Sequence, residues 1–356
     1  MEPGRADVRP AGALSNANKV SNVDQPPPYQ QRGRALGWAV QIALVVAVLG
    51  GLWLLIHQAT QTLAARGIRS GFDFLNQAAG FDLSEGWFPF HAGQPFWRAF
   101  LAGLVNTLRA SIPAAVIAVA LGTLLGIGRL ARHRLLRGIC TAYVELLRNV
   151  PLLVQLLMLY FALTQLLPDS TDPLQLAHGV WLSKAGLSVP WPAGSGTGNA
   201  GGFWELPERG TFGITGGAAL SPEYIAITLA LALYSAAFVA EIVRAGITSV
   251  SRGQVLAAQA LGLSPVQALR IVVLPQALRV IVPALTNQLL SLVKNSSLAV
   301  AIGYPELVSV ANTTINSTGR AFECIAVIMG VYLLLSLLIS AGMNRYNSAV
   351  ALRGWD

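Results

Sequence analysis

Hydrophobic positions along this chain fall in long, mostly apolar runs, not in the alternating or one-sided patterns of soluble strands and helices. About 20 consecutive apolar residues carry a helix across a bilayer. Six runs reach that scale, at 37–56, 100–127, 139–166, 222–243, 280–302 and 322–343. Barrel strands would be shorter and alternating, so the pattern predicts an all-α integral membrane protein of about six transmembrane helices. The stretches between the runs differ in kind. Residues 1–36, with Pro26-Pro27-Pro28, have nothing to bury and read as a disordered tail. The run at 37–56 is too long for a signal peptide and is followed by no convincing small-residue cleavage site, so it is a retained helix. Segments 57–98 and 167–221, the second with a Gly/Ser/Pro-rich centre at 190–202, are too short and too polar to fold alone and are expected to decorate the outer face. Residues 346–356 form a short C-terminal tail.

Composition agrees with this pattern. Of 356 residues, 54% are hydrophobic and 11% charged, which excludes a soluble domain of this size. Lys and Arg cluster in alternate loops: Arg129, Arg132, Arg134 and Arg137 follow the second run, and Arg244, Arg252, Arg270 and Arg279 follow the fourth. The longer intervening segments hold few, among them Arg66, Arg98 and Lys184. By the positive-inside rule both termini and the loop 245–279 are cytoplasmic in a multi-pass inner-membrane protein. This bias accounts for the net charge of +8, and no basic stripe interleaved with aromatics points to nucleic acid. Cys140 and Cys324 are expected at opposite membrane faces, too far apart to bond. The four histidines are scattered, no metal-ligand cluster stands out, and no Gly-rich loop ends in Gly-Lys-Ser or Gly-Lys-Thr. Any work done with ATP must therefore be done by another chain.

The loop 245–279 contains LAAQALGLSPVQALRIVVLP at 256–275. Ala, Leu and Gln favour a helix up to Leu261, and Gly262 offers the left-handed conformation that ends one. Ser264 offers a cap, Pro265 suits a first helical position, and Gln267 closes a capping box. The second helix carries Val266, Leu269, Val272 and Val273 on one side until Leu274-Pro275 is expected to interrupt it. The pair Ala257-Ala258 lets another surface approach the backbone. An amphipathic helix lying on headgroups is the alternative, but this face lacks the Lys and Arg such helices display.

Buried polar groups in the apolar runs mark a candidate path. Lys294, about 22 Å along a helix from Arg279 at 1.5 Å per residue, is followed by Asn295, Ser296 and Ser297, a cation with hydroxyls suited to a carboxylate. Snorkelling to headgroups is the competing reading. Asn287 and Gln288 line the same path or bridge helices. Glu145 with Arg148, and Glu241 with Arg244, have the spacing of local ion pairs. Arg109 marks the outer interface. Gly122 and Gly126 form a small-residue face for close helix packing within the chain.

The loop resembles the coupling loop of ABC importer permeases, whose usual form is Glu-Ala-Ala, three residues, Gly, nine residues, Ile, one residue, Leu-Pro. Ala257, Ala258, Gly262, Leu274 and Pro275 match it, while Leu256 replaces the Glu and Val272 the Ile. Further segments resemble the polar amino-acid branch of that family: Asn106-Thr107-Leu108-Arg109, the run from Tyr143 to Gln155, that from Ser221 to Gly246, and Lys294-Asn295-Ser296-Ser297-Leu298-Ala299. Ile302-Gly303-Tyr304-Pro305-Glu306-Leu307 and the extra first helix are similar to permeases of general L-amino-acid importers. The resemblance implies a five-helix core at 99–345 plus one N-terminal helix. It also implies a second permease subunit, two ATPases that use ATP-Mg, and a periplasmic amino-acid-binding protein. In that frame this chain is not an enzyme and binds no cofactor. Its loop residues Leu256, Ala257, Ala258, Gly262, Leu274 and Pro275 transmit work, and Lys294, Asn295, Ser296 and Asn287 border the substrate. Two other classes compete. A secondary, ion-coupled amino-acid transporter predicts inverted repeats, and a membrane scaffold leaves Lys294 unexplained.

Overall fold

A computed structural model describes residues 28–65, 71–192, 204–210 and 213–352. It is mainly helical and divides into two units, residues 1–70 and 71–356. The described part of the first is one helix, α1 (Pro28–Ala65), which contains the run expected at 37–56. It begins at Pro28, inside the stretch read as tail, and residues 1–27 lie outside the described residues.

The second unit holds α2 (Phe96–Gly128), α3 (Arg134–Asn149), α4 (Leu152–Gln165), α5 (Pro222–Thr248), α6 (Arg252–Ala260), α7 (Pro265–Gln267), α8 (Leu274–Asn295), α9 (Leu307–Thr318) and α10 (Ala321–Leu352). Four helical stretches among the described residues are long and apolar enough to span a membrane, and α3 with α4 supplies a fifth. That fifth span is not the single helix expected at 139–166, because α3 and α4 meet at 103°. Pro151 has no N–H to continue the ladder and pushes Val150 into extended backbone (φ −93°, ψ 128°). The carbonyls freed at the break are not orphaned. Gln155 Nε2 donates to Leu147 O at 2.8 Å and to Val150 O at 2.9 Å.

The core is a parallel pair. Arg109 of α2 stacks on Tyr224 of α5, Gly122 faces Val239, and Gly126 faces Val243, so the two helices start at the same end of the bundle. Their seam is built from small side chains. Ala110, Ala114 and Ala118 are fully buried, as are Ala226, Ala230, Ala236 and Ala240. A Cβ at Gly122 would lie 2.6 Å from Val239 Cβ, and one at Gly126 2.7 Å from Ala240 O. Lipid tails give apolar side chains no reason to prefer protein, so such a seam is held by close backbone approach and dispersion. The expected small-residue face is therefore used inside the chain. Gly128 abuts Cys140 of α3 in the same way, and Gly246 of α5 abuts Ile281 of α8.

The segment before α2 is more than decoration. Phe74 and Phe90 pack into one apolar cluster with Phe96 and Phe100 of α2, Leu307 and Val310 of α9, and Cys324 of α10. Ionic contacts fasten it at two points. Arg320 Nη1 meets Asp73 Oδ1 at 2.5 Å and donates to Gly71 O, and Gly71 N donates to Glu323 at 2.7 Å. Glu85 receives Arg109 at 2.8 Å, close enough for strong attraction though not aligned as a hydrogen bond, and Ser221 Oγ also reaches Glu85. The second insertion departs from the all-α expectation. Its strands β1 (Leu174–Ala177), β2 (Val180–Ser183), β3 (Gly186–Val189) and β8 (Ala218–Leu220) form an antiparallel sheet in that order. Strands β4 (Trp191–Pro192) with β5 (Trp204–Glu205), and β6 (Glu208–Gly210) with β7 (Gly213–Thr215), add two two-stranded antiparallel pairs.

Candidate functional site

Where α5 ends, the chain makes a helix-turn-helix. Helix α6 closes as the glycine signal predicts: Gly262 has φ +83°, its N–H donates to Gln259 O at 2.9 Å, and Leu263 N donates to Ala258 O at 3.1 Å. These are the paired bonds of a Schellman motif, which satisfy the carbonyls of Ala258 and Gln259 in the last turn of α6. Ser264 and Gln267 then form the expected capping box, with Ser264 N donating to Gln267 Oε1 at 2.8 Å and Gln267 N to Ser264 Oγ at 3.3 Å. The interruption expected at Leu274-Pro275 does not occur. A π-helical stretch, Ala268–Val273, joins α7 to α8, and Pro275 sits in the first turn of α8. The wider π turn accommodates a residue that neither donates to nor fits the preceding α ladder.

The loop residues divide by exposure. Ala258, Ala268 and Val273 are buried, so Ala258 serves packing within the loop and only Ala257 of that pair is open. Leu256 is 64% exposed, Leu261 84%, Val266 73% and Ile271 61%. Gly262 has no neighbour within 4 Å of a Cβ position, and Leu274 and Pro275 are exposed. The result is a rigidly capped turn with an apolar, nearly uncharged outer surface.

Beside the loop sits a charge node that sequence reasoning resolved only in part. Arg244 Nη2 meets Glu241 at 2.5 Å, the expected i,i+3 pair, but Arg129, just beyond α2, also binds Glu241, and Arg148 of α3 comes to 3.9 Å. Arg148 lies over Phe238 instead of pairing with Glu145, so the expected Glu145–Arg148 pair is absent. Carboxylate and guanidinium partners from separate helices carry no periodic signal, which is why spacing alone found only one of the three.

The candidate path residues lie on α8 and just beyond it. Asn287, Ser291 and Lys294 are exposed in this chain and recur at helical spacing along one line. Lys294 is therefore not buried as expected; it opens on a groove of about 630 Å³ that also takes in Ser297, Tyr332 and Ser336. Asn295 is half-buried. Ser296 turns inward, 1% exposed, and donates to Val293 O at 2.7 Å, which removes it from the path surface.

The remaining motifs lock the far ends of the helices together. Asn106 Nδ2 donates to Glu85 O at 2.9 Å and to Pro305 O at 3.0 Å, while Tyr304 Oη donates to Asn106 O at 3.1 Å. Leu307 N donates to Thr107 Oγ1 at 3.3 Å. Glu306, fully buried, caps α9 by accepting from Ser309 N at 2.7 Å. Arg109 is likewise interior, its side chain 8% exposed between Glu85 and the Tyr224 ring, and does not sit at a lipid interface.

Comparison with known proteins is consistent across sequence and structure. Residues 118–349 match the family described as binding-protein-dependent transport system inner membrane component. The chain is 40% identical to YhdX of Escherichia coli strain K12, over 88% of this chain and 94% of that one. It is 36% identical to the general L-amino acid transport system permease protein AapQ of Rhizobium johnstonii, over 88% of this chain and 91% of that one. Among solved structures it resembles a chain of an amino acid ABC transporter crystallised with histidines, at TM-score 0.53 and 28% identity, over 71% of this chain and 95% of that one. With a spanning helical core of matching fold and sequence, this chain belongs to the binding-protein-dependent transport system inner-membrane component family, the membrane-spanning permeases of ABC transporters.

Proposed function

We propose that this chain is half of the translocation path of an ATP-driven amino-acid importer. Its partners are a second permease subunit, two ATPases and a periplasmic amino-acid-binding protein. ATP-Mg is consumed in the ATPases and this chain holds no cofactor. Both termini and the loop 245–279 face the cytoplasm, in keeping with the Lys and Arg bias. The observation that carries the reading is the exposed helix-turn-helix at Gly262. A turn closed by a Schellman motif and a capping box is stiff, and its open Leu256, Leu261, Val266 and Ile271 offer an apolar surface to an ATPase. Leu256 in place of the family's Glu means that this contact rests on shape and packing. Amino acids as substrates are supported by the relatives' descriptions and by the path itself. Asn287, Ser291 and Lys294 form a polar line on a spanning helix, costly against lipid and therefore turned toward the partner permease and the solute. Lys294 offers its ammonium to the substrate carboxylate.

The test is reconstitution of the whole assembly in vesicles and an uptake panel of amino acids. ATP-dependent uptake that requires the binding protein is expected, and Lys294→Ala lowers it more than Arg66→Ala does. Uptake by the single chain driven by an ion gradient would overturn the reading.

A further inference from the structure

Four Lys and Arg side chains described at the end of the bundle where α2 begins have a carboxylate. Arg109 pairs with Glu85, Lys184 with Asp169, Arg209 with Asp172 and Arg320 with Asp73. Among the described residues Arg98 has none. Its guanidinium lies 5.4 Å over the Trp97 ring, exposed, in the first turn of α2. Beside it opens a groove of about 460 Å³, lined by Phe88, Phe90, Gln94, Trp97, Arg98 and Leu101. Phe90 is the buried floor, whereas Phe88, Trp97 and Leu101 leave their apolar surface open.

We propose that this groove is a binding site for one anionic phospholipid, with the phosphate on Arg98 and the upper part of an acyl chain in the aromatic trough. Three observations converge. An unpaired guanidinium lying over an indole is a cation presented to an outside anion, and phosphate matches its fork of donors. The groove begins in the polar segment before α2 and runs onto Leu101, inside a helix that spans the membrane, so its occupant must suit both headgroup and hydrocarbon. Trp97 at that boundary is the kind of side chain that settles at the level of the headgroups, and Phe88 beside it suits the apolar part of the occupant. A soluble protein docking here would leave the Leu101 end facing lipid.

The experiment uses the full chain in phosphatidylcholine vesicles doped at equal mole fraction with brominated phosphatidylglycerol or brominated phosphatidylcholine, reading tryptophan quenching. One basic side chain near a membrane surface sustains about a five-fold preference for anionic lipid, and quenching by the phosphatidylglycerol probe should exceed that by phosphatidylcholine on this scale. Trp97→Phe should remove the excess, Arg98→Gln should abolish the preference, and Arg98→Lys should keep part of it. Equal quenching in the unaltered chain, an excess that survives Arg98→Gln, or an excess untouched by Trp97→Phe would each overturn the site. So would protection of Trp97 from both probes by added binding protein, which would make the groove a protein dock.

Discussion

Gly262 is the position where a single side chain tests the coupling reading most sharply. It stands at φ +83° with nothing within 4 Å of where a Cβ would go, so a substitution meets no clash inside this chain and costs only backbone conformation. For an L-residue the left-handed region costs about 1–2 kcal/mol, and at 1.4 kcal/mol per decade Gly262→Ala should depopulate the closed turn by about five- to thirty-fold. Gly262→Val adds a β-branch that fits this region worse still, and is expected to abolish uptake. Gly262→Asn is the control, since Asn tolerates the left-handed conformation that caps helices. The assay is ATP-driven uptake per assembled complex in vesicles, with chain content measured in the same membranes. The expected order is Gly, then Asn close behind, then Ala, then Val, at equal membrane content. Wild-type uptake by Gly262→Val, or Asn falling as far as Val, would show that the turn's conformation is not what transmits the work.

Other expectations follow from the packing and the charges. Gln155→Leu strips both side-chain hydrogen bonds from the bend between α3 and α4, at about 0.5–1.5 kcal/mol for each bond lost at these half-buried carbonyls. A purified variant melting with the wild type would refute that role. Gly126→Leu drives a side chain into Ala240 O and Val243 and should destabilise the α2–α5 seam by about 1–3 kcal/mol or more, read as loss of folded chain in detergent. Asp73 has its pKa lowered below 3.8, first by its hydrogen bond to Arg320. A depressed carboxyl stabilises the fold fully above its unfolded value and loses that contribution as pH falls through the folded one. The difference in melting between the native chain and Asp73→Asn should hence be flat from neutral pH down to about 5 and shrink progressively below that, as the unfolded carboxyl, with its ordinary value of 3.8, takes up protons. A gap that closes above pH 5 would refute the assignment.

Legibility in the sequence followed the range of each interaction. The loop at Gly262 was readable in detail because caps are local: Gly262, Ser264 and Gln267 act on backbone groups within a few residues of themselves. The small-residue seam was readable for a related reason, since glycines at i and i+4 lie on one face whatever they pack against. The bend at Pro151 was also present in local chemistry, but the apolar run through it masked the break, and only Gln155 buried against Leu147 and Val150 shows why the break is tolerated. Nothing local announces Arg320 against Asp73 or Glu85 against Arg109, whose partners come from separate segments. Hence a stretch read as decoration proved to be part of a core. Lys294 was misplaced for the opposite reason. Depth along a helix says how far a residue lies from the membrane surface, not which face it turns to, and Lys294 opens on a groove while its neighbour Ser296 turns inward.

These two classes of contact together determine what a pull on the loop can do. The loop leaves α5 just beyond Gly246 and enters α8 just before Ala277, and those residues meet: a Cβ on Gly246 would lie 2.3 Å from Ile281 and 3.3 Å from Ala277 O. Its two mounts thus pack against each other, so on the proposed coupling reading a displaced loop moves α5 and α8 together. One turn deeper, Glu241 holds Arg129 beyond α2 and Arg148 at the end of α3, and the alanine and glycine seam binds α2 along the length of α5. The Gly262 turn joins α5 through α6 and the short turn at 249–251, and joins α8 through the π-helical stretch 268–273. On the proposed coupling reading, a contact made at Leu256 or Val266 reaches the helix that carries Asn287 and Lys294 through the Gly246–Ile281 contact at the base of the loop.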